Sequence, residues 1–350
     1  MHRQLPINTF FEPLIQITTM SNLRLLVVGG AGYIGSHMVK QLALAGCNVT
    51  TLDNLVSGHR DAVLHGDFVH ADLADKNALA QLFKHKQFDA VLHFASFIQV
   101  GESVQKPALY YENNVTNTLN LLNAMNNAGV RRFIFSSTAA TFGEPQYTPI
   151  DEQHPQMPIN PYGRSKLMIE QILNDYDNAY GLKSVCLRYF NAAGADPDGQ
   201  LGERHNPETH LIPLVLQAAS GRKPFISVFG RDYDTPDGTC IRDYIHINDL
   251  CEAHWLSLQT LLNGANSQHY NLGNGQGFSV QEVIDSAQRV TGKHIEVVDA
   301  PRRDGDPARL VADSKSARLN LGWSPQFAEL DVMVKHAWSW ELNWHGAKIS

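Results

Sequence analysis

The run Leu25-Leu26-Val27-Val28 stands directly ahead of Gly29-Gly30-Ala31-Gly32-Tyr33-Ile34-Gly35, and this junction limits the chain to few folds. Four successive apolar residues with no polar alternation read as a strand buried on both faces. Glycine next to it permits a tight turn and a close backbone approach. Ile34, Met38 and Leu42 then recur at four-residue spacing, which marks one face of a helix. A glycine turn of this kind binds nothing by itself. Its meaning changes with Asp53, which ends the second strand run, Val49–Leu52. Backbone N–H groups at the start of a helix take a pyrophosphate. A carboxylate at the end of the second strand accepts bonds from ribose hydroxyls and repels a 2′-phosphate. Gly29, Gly32, Gly35 and Asp53 are therefore expected to hold NAD rather than NADP. Asp72, which ends the third strand run, is either an adenine neighbour or the N-cap of the next helix.

The same rhythm continues along the chain. Strand runs are expected at Phe68–Ala71, Ala90–Phe94, Phe133–Phe135 and Val185–Leu187, with helices marked by the Leu79, Leu82, Phe83 stripe, by Asn114–Met125 and by Tyr162–Tyr180. Doubly apolar strands alternating with helices predict an α/β fold, a doubly wound parallel sheet of the Rossmann type. After Asn191 the pattern breaks into Gly-, Pro- and Asp-rich sequence interrupted by a helical run at Leu211–Ala219. The expected organisation is an N-terminal extension over 1–22, a dinucleotide-binding domain over 23–195, and a smaller mixed α/β lobe over 196–350, some of which returns to the first domain. The extension is too broken by polar residues for a signal-peptide core and is expected to be mobile.

Composition removes several alternatives. Of 350 residues, 43% are hydrophobic and 18% charged, which excludes a disordered or low-complexity chain. The net charge is −7, the wrong sign for neutralising nucleic-acid phosphates. No apolar run approaches the ~18 residues of a membrane-spanning helix. Cys47, Cys186, Cys240 and Cys251 are scattered without a C-x-x-C pair, which suits a reduced, cytoplasmic protein. No metal site is expected: H-E-x-x-H is absent, and His205 and His210, five apart beside Pro207, cannot share a helical face.

Tyr162 and Lys166 lie four apart on the predicted long helix, hence on one face. A phenolate can remove a proton from a sugar hydroxyl, but a free phenol has a pKa of about 10, and lowering it to near 7 requires roughly 4 kcal/mol. One cation about 5 Å away supplies on the order of 3 kcal/mol at an effective dielectric near 20. Lys166 and the positive nicotinamide together are expected to suffice against the desolvation that opposes them, so the base should work best with oxidised cofactor bound. Thr138, just beyond the fifth strand run, offers a hydroxyl to relay the proton.

With these residues in register, the chain resembles the UDP-hexose 4-epimerases of the extended short-chain dehydrogenase/reductase family over roughly residues 23–345. The resemblance is carried by GGAGYIGSH, LDNL, VGESVQKP, YYENNV, FIFSSTAAT, NPYGRSKLMIEQIL, LRYFNAAGADPDG, DGTCIRDYIHINDL, YNLGNGQGFSV and APRRDGDPARL. It implies NAD contacts at Tyr33, Ile34, Asp53, Asn54, Asp72, Leu73, Phe94, Ala95, Asn114, Tyr162, Lys166 and Phe190. It also implies UDP-sugar contacts at Thr138, Asn191, Leu211, Phe229, Arg242, Arg303 and Asp306, in which two arginines grip the diphosphate.

Reversible C4 epimerisation of a UDP-hexose through a 4-keto sugar, with NAD retained, is the activity implied. A homodimer through helices near 105–128 and 163–180 is implied as well, although Leu119, Leu122, Ile169 and Ile172 are explained equally well by core burial. The chain departs from the family pattern in three places: Ile98 stands where Lys is frequent, Thr138 where Ser is usual, and Leu310 at a position whose bulk decides whether an N-acetyl group fits. UDP-N-acetylhexosamine epimerisation is the alternative. A 4,6-dehydratase is disfavoured because Ala139-Ala140 follows Thr138, where those relatives carry an acid, and a non-catalytic NAD sensor would not need Tyr162 with Lys166.

Overall fold

Strand β1 (Arg24–Val28) runs into the glycine turn and helix α1 (Tyr33–Leu44), and residues 25 to 28 are fully buried. Each such side chain contributes about 1.5–3 kcal/mol by leaving water, which is why this strand lies at the centre of its sheet. The computed structural model describes residues 21–303 and 306–346. The expected mobile extension over 1–22 lies outside the described residues apart from Ser21 and Asn22.

The chain continues through β2 (Asn48–Asp53), β3 (Asp67–His70), α2 (Lys76–His85) and β4 (Ala90–His93). Next come the short helices α3 (Val100–Gln105) and α4 (Pro107–Tyr110), a wide π-type turn at Tyr111–Thr116, and α5 (Asn117–Asn127). The expected helix over Asn114–Met125 thus starts as a π turn. The buried Asn114 amide bonds Phe97 N and O and Ser165 Oγ, and these bonds hold the turn open toward the interior. Strand β5 (Arg132–Thr138) is longer than its apolar run and ends on Thr138 itself. Helix α6 (Pro161–Tyr180) is capped by Asn160, whose side chain accepts from Gly163 N, and stops at Gly181 in the left-handed region.

Strands β6 (Lys183–Tyr189) and β7 (Asn191–Ala193) follow, then α7 (Leu211–Ala219), β8 (Ile226–Phe229), β9 (Ile241–Arg242), β10 (Tyr244–His246) and α8 (Ile247–Leu262). The chain ends through β11 (Gln268–Leu272), β12 (Phe278–Ser279), α9 (Val280–Thr291), β13 (Val297–Ala300), β14 (Arg309–Leu310), α10 (Lys315–Leu321) and α11 (Leu330–Gly346).

The main sheet has seven parallel strands in the order β11-β6-β5-β4-β1-β2-β3. Strand order reverses between β1 and β4, the topological switch point at which open α/β sheets bind ligands beyond their carboxyl ends. One apolar cluster lies on each face of the sheet, and a third fills the small lobe between α7, α9 and α11. The predicted α2 stripe of Leu79, Leu82 and Phe83 is buried. So are Leu122 and Ile169, which assigns those two positions to the core rather than to a subunit contact. Three short sheets, β7–β10, β8–β13 and β12–β9–β14, accompany the main sheet.

Candidate active site

Three successive residues at the end of β5 meet three successive turns of α6. The Ser136 carbonyl accepts from Lys166 Nζ at 2.9 Å, Ser137 Oγ donates to Glu170 at 2.5 Å, and the Thr138 side chain lies close enough to the Tyr162 phenol to favour its ionisation. Gly163 makes this fit possible, because a Cβ there would lie 2.4 Å from the Ala140 carbonyl oxygen. The first turn of α6 therefore packs on the backbone that follows Thr138. The sequence placed Tyr162, Lys166 and Thr138 together, and the structure does bring them together.

In the chain by itself the charge balance favours the neutral phenol. Burial raises the Tyr162 pKa above its ordinary value, against the opposing Thr138 hydrogen bond. Burial also lowers Lys166 to about 7, opposed by the charge of Glu170. The Lys166 ammonium faces the Ser136 carbonyl and the Phe135 ring, 4.8 Å from the ring centroid. Desolvation thus outweighs the opposing attraction, and the expected acidity of the phenol calls for the second cation, the nicotinamide, as well as Lys166. The remaining stabilisation of a phenolate falls to the charge of bound ligands.

Glu170 extends the Tyr162, Lys166 face by one more turn, and the sequence reading missed it despite the regular four-residue step. Arg188 from β6 holds its carboxylate through contacts of 2.6, 3.0 and 3.2 Å, and Gln156 adds a bond of 3.0 Å. Both charges of the pair are buried. The Arg188 and Ser137 hydrogen bonds keep the Glu170 carboxyl below its ordinary value even though burial pushes it up.

At the switch point the glycines have separable roles. Gly29 has φ +79°, and a Cβ on it would meet Ala95 N at 2.4 Å, while one on Gly35 would meet the Gly29 carbonyl oxygen at 2.1 Å. Those two allow the strand, the turn and the helix to touch. A Cβ on Gly32 would find only the Gly29 carbonyl oxygen, at 3.4 Å, and no side chain caps the amino end of α1. This leaves a concave, donor-rich surface that fits a pyrophosphate. Asp53 is buried beside it and accepts from Ala31 N at 2.9 Å and Leu55 N at 2.8 Å.

Asn54 donates to Asp72 at 2.7 Å, which joins the ends of β2 and β3. Asp72 also accepts from Ala74 N, but the N-cap of α2 is Asp75, so the cap reading of Asp72 is set aside. Buried Leu73 and half-buried Phe94 and Ala95 continue the same edge, as does half-buried Phe190 between β6 and β7. The Tyr33 hydroxyl donates to the Gly194 carbonyl at 2.7 Å, Ile34 lies in the first turn of α1, and Ile98 is 39% exposed in the loop beyond β4. These residues fit a dinucleotide, and Asn114 braces the loop after β4 from below.

The expected substrate residues also converge. Arg242 Nη2 pairs with Asp306 at 3.1 Å, and its Nη1 donates to the Pro307 carbonyl at 2.9 Å. Arg303 lies 3.9 Å over the Phe229 ring, and Asp306 N donates to the Arg303 carbonyl at 3.4 Å. Leu310 pairs with Arg242 in the β14–β9 register. Asn191 reaches the same corner by donating to the Asp243 carbonyl at 2.9 Å. Leu211 opens α7 and packs on the third apolar cluster with Tyr244. Asp243, next to Arg242 in the chain, accepts from the N–H groups of Asn274, Gly275 and Ala312.

The premise against a metal is also corrected. His205 and His210 share no helix because their segment has no regular structure, yet the loop brings them together with Glu203 and Glu208.

A seven-stranded parallel sheet with a glycine turn at its switch point, beside a Thr–Tyr–Lys constellation, defines a dinucleotide-dependent oxidoreductase-type site. The sequence model of the NAD dependent epimerase/dehydratase family matches residues 25–273, and the chain belongs to that family. It is 52% identical over 318 residues to the UDP-glucose 4-epimerase of Halalkalibacterium halodurans, covering 91% of this chain and 95% of the relative. The structure of Brucella ovis UDP-glucose 4-epimerase in complex with NAD matches with a TM-score of 0.89 and 49% identity, covering 90% and 97% of the two chains. That of Bifidobacterium longum UDP-glucose 4-epimerase in complex with NAD+ and UDP matches with a TM-score of 0.86 and 37% identity, covering 91% and 98%.

Proposed function

We infer that the enzyme interconverts UDP-galactose and UDP-glucose by reversible oxidation at C4 of the hexose, with NAD retained through the cycle. NAD, when bound, takes up the C4 hydride and returns it. The observation that carries the reading is the packing of the first turn of α6, which carries Tyr162, onto the backbone just after Thr138 at the carboxyl edge of β5, one helical turn from buried Lys166. Tyr162 holds the proton of the 4-hydroxyl, relayed through Thr138, while C4 is oxidised, and gives it back when C4 is reduced. Its burial keeps the phenol protonated until ligands bring charge to it. Lys166 orients the cofactor edge and stabilises the phenolate once charged.

The Arg242–Asp306 and Arg303–Phe229 pairs support a grip on the nucleotide and diphosphate. A small-residue wall around Ala139 and Ala140 leaves the keto sugar free to turn about its link to the diphosphate. We place the NAD contacts on Gly29, Gly32, Tyr33, Ile34, Gly35, Asp53, Asn54, Asp72, Leu73, Phe94, Ala95, Asn114 and Phe190, with Tyr162 and Lys166, and the UDP-sugar contacts on Thr138, Asn191, Leu211, Phe229, Arg242, Arg303 and Asp306. We divide the chain into a cofactor domain over 23–195 and a substrate lobe over 196–350, with β11 and α8 returning to the main sheet. Purified protein incubated with UDP-galactose and no added reductant yields UDP-glucose; no product would end the reading.

Leu310 favours a second substrate. It lies half-buried beside Arg242 in register, and a leucine leaves more room than a tyrosine for an N-acetyl group. Comparative rates on UDP-galactose and UDP-N-acetylgalactosamine measure this. A dehydratase finds no support, because the acid on this face, Glu170, is locked by Arg188.

We also propose a homodimer. Val104 on α3, Leu109 on α4 and Met168 on α6 are 61%, 39% and 40% exposed, and they suit an apolar contact between copies that sedimentation measures. A cytoplasmic location suits the unpaired thiols of Cys186, Cys240 and Cys251, and no helix among the described residues is long and apolar enough to cross a membrane.

A further inference from the structure

We propose that Glu203, His205, Glu208 and His210 form a closed four-ligand site for a divalent transition-metal ion with the preferences of zinc. One ligand atom from each residue lies within 4.8 Å of all the others. The two imidazole Nδ1 atoms converge on a single carboxylate oxygen, Glu203 Oε1, at 2.9 Å from His205 and 2.5 Å from His210. The Glu208 carboxylate closes the set at 3.7 and 3.3 Å from the same nitrogens.

In the chain by itself the two imidazoles pair with the two carboxylates, and this pairing keeps the four ligands gathered. Glu203 Oε1, His205 Nδ1 and His210 Nδ1 are buried, and none of them makes a hydrogen bond of acceptable geometry. The Glu203 side chain is only 6% exposed. Zinc binds nitrogen and carboxylate oxygen at about 2.0–2.2 Å in a tetrahedron, whose edges are then about 3.3–3.5 Å, within the spread of separations seen here. Two neutral imidazoles, two carboxylates and a divalent ion carry no net charge. Four protein ligands leave no position for a water nucleophile, so the ion's role is structural.

The E-x-H-x-x-E-x-H spacing places all four ligands in one short, irregular segment. That segment is anchored on both lobes. Arg204 pairs with Asp61 and its carbonyl contacts His59, while the Glu203 carbonyl accepts from Trp340. The charges of Glu203 and Glu208 reach the Tyr33 phenol at the start of α1, and Leu211, the first residue of α7, directly follows His210. A metal here ties the cofactor turn to the helix that opens the small lobe. This inference stands apart from the reaction assigned above, because its readout is metal content.

The test uses tag-free, full-length protein from zinc-supplemented cells, dialysed against metal-free buffer, with metals measured by inductively coupled plasma mass spectrometry. The expected result is about one zinc per chain. Chelation by dipicolinate lowers the melting temperature and added Zn2+ restores it, while Co2+ in place of zinc gives the visible absorption of four-coordinate cobalt. His210→Ala and Glu203→Gln abolish retention. Substoichiometric metal with a melting temperature indifferent to Zn2+, six-coordinate cobalt spectra, or full retention in both variants would each overturn the proposal. The wild-type cobalt spectrum decides the matter even where a variant fails to fold.

Discussion

Gly163 approaches Ala140 so closely that a Cβ on it would lie 2.4 Å from the Ala140 carbonyl oxygen. The contact presses the first turn of α6 onto the backbone beyond β5 and sets the Tyr162 phenol against Thr138. Gly163→Ala must push the helix away, and a displacement near 1 Å at reacting groups costs about 10²-fold in rate. The expected outcome is a kcat lowered by about that factor with NAD content of the purified protein unchanged. Loss of NAD along with activity would show that the contact supports the whole domain instead.

The proton path assigns unequal roles to its two hydroxyls. Tyr162→Phe removes the group that holds the proton and lowers kcat by about 10²–10⁴-fold while NAD still binds. Thr138→Ala also removes the relay and the bond from Ala140 N at 3.1 Å, whereas Thr138→Ser keeps both. Steady-state rates rank wild type and the serine variant together, the alanine variant about 10²-fold lower, and the phenylalanine variant lowest. An alanine variant as fast as wild type would remove Thr138 from the path.

Arg242 divides its guanidinium between Asp306 and the carbonyls of Ile241 and Pro307. A lysine cannot reproduce that fork. Arg242→Lys raises KM for the UDP-sugar roughly 10–100-fold, the loss of charge-assisted bonds worth about 1.5–3 kcal/mol, and changes kcat far less. A fall in kcat at constant KM would place the residue at the sugar rather than at the nucleotide.

How much of this was legible in the sequence depended on distance along the chain. Gly29, Gly35 and Asp53 were readable because a strand, a turn and a helix are local events with their own residue preferences. Tyr162 and Lys166 share a helix face, so their spacing sufficed. The Arg242–Asp306 pair spans 64 positions and exists because β14 aligns with β9, which no local pattern announces; only family resemblance pointed to it. Glu170 was missed because its partner, Arg188, comes from the neighbouring strand. The His205–His210 grouping was missed because helical periodicity was the wrong test for a segment without helix. That burial opposes ionisation of Tyr162 was readable, but how strongly it does so depends on packing that no local pattern gives.

Arg188 and Glu170 are both buried and joined by three contacts of 2.6–3.2 Å. Removing one charge strands the other, which costs about 3–5 kcal/mol, whereas replacing both with apolar residues of similar size is close to neutral. Urea unfolding is expected to show Glu170→Gln destabilised by that amount and the Glu170→Met, Arg188→Met double variant recovering most of it. A double variant no better than the single would mean that the bonds to Ser137 and Gln156, rather than the ion pair, hold this layer.

Four buried histidines set the acid limit of the fold. Burial holds His37 and His254 at about 4 and His93 and His246 at about 3. Unfolded, each titrates near 6.5, so between about pH 6.5 and about 4 the unfolded chain binds protons that the folded chain refuses. Stability is then present in full above pH 6.5 and falls as pH drops through this window, by about 1.36 kcal/mol per pH unit for each histidine that stays neutral. His93 is the cleanest to remove: its Nε2 meets Thr118 Oγ1 at 2.9 Å, and Nδ1 has no partner. His93→Gln keeps a polar group of similar size that does not titrate. Its unfolding free energy, followed by urea titration from pH 7 to 5, is expected to decline less steeply than that of wild type by about one proton's worth, near 2 kcal/mol by pH 5. Parallel slopes for the two proteins would show that His93 is protonated equally in both states and that the acid sensitivity lies elsewhere.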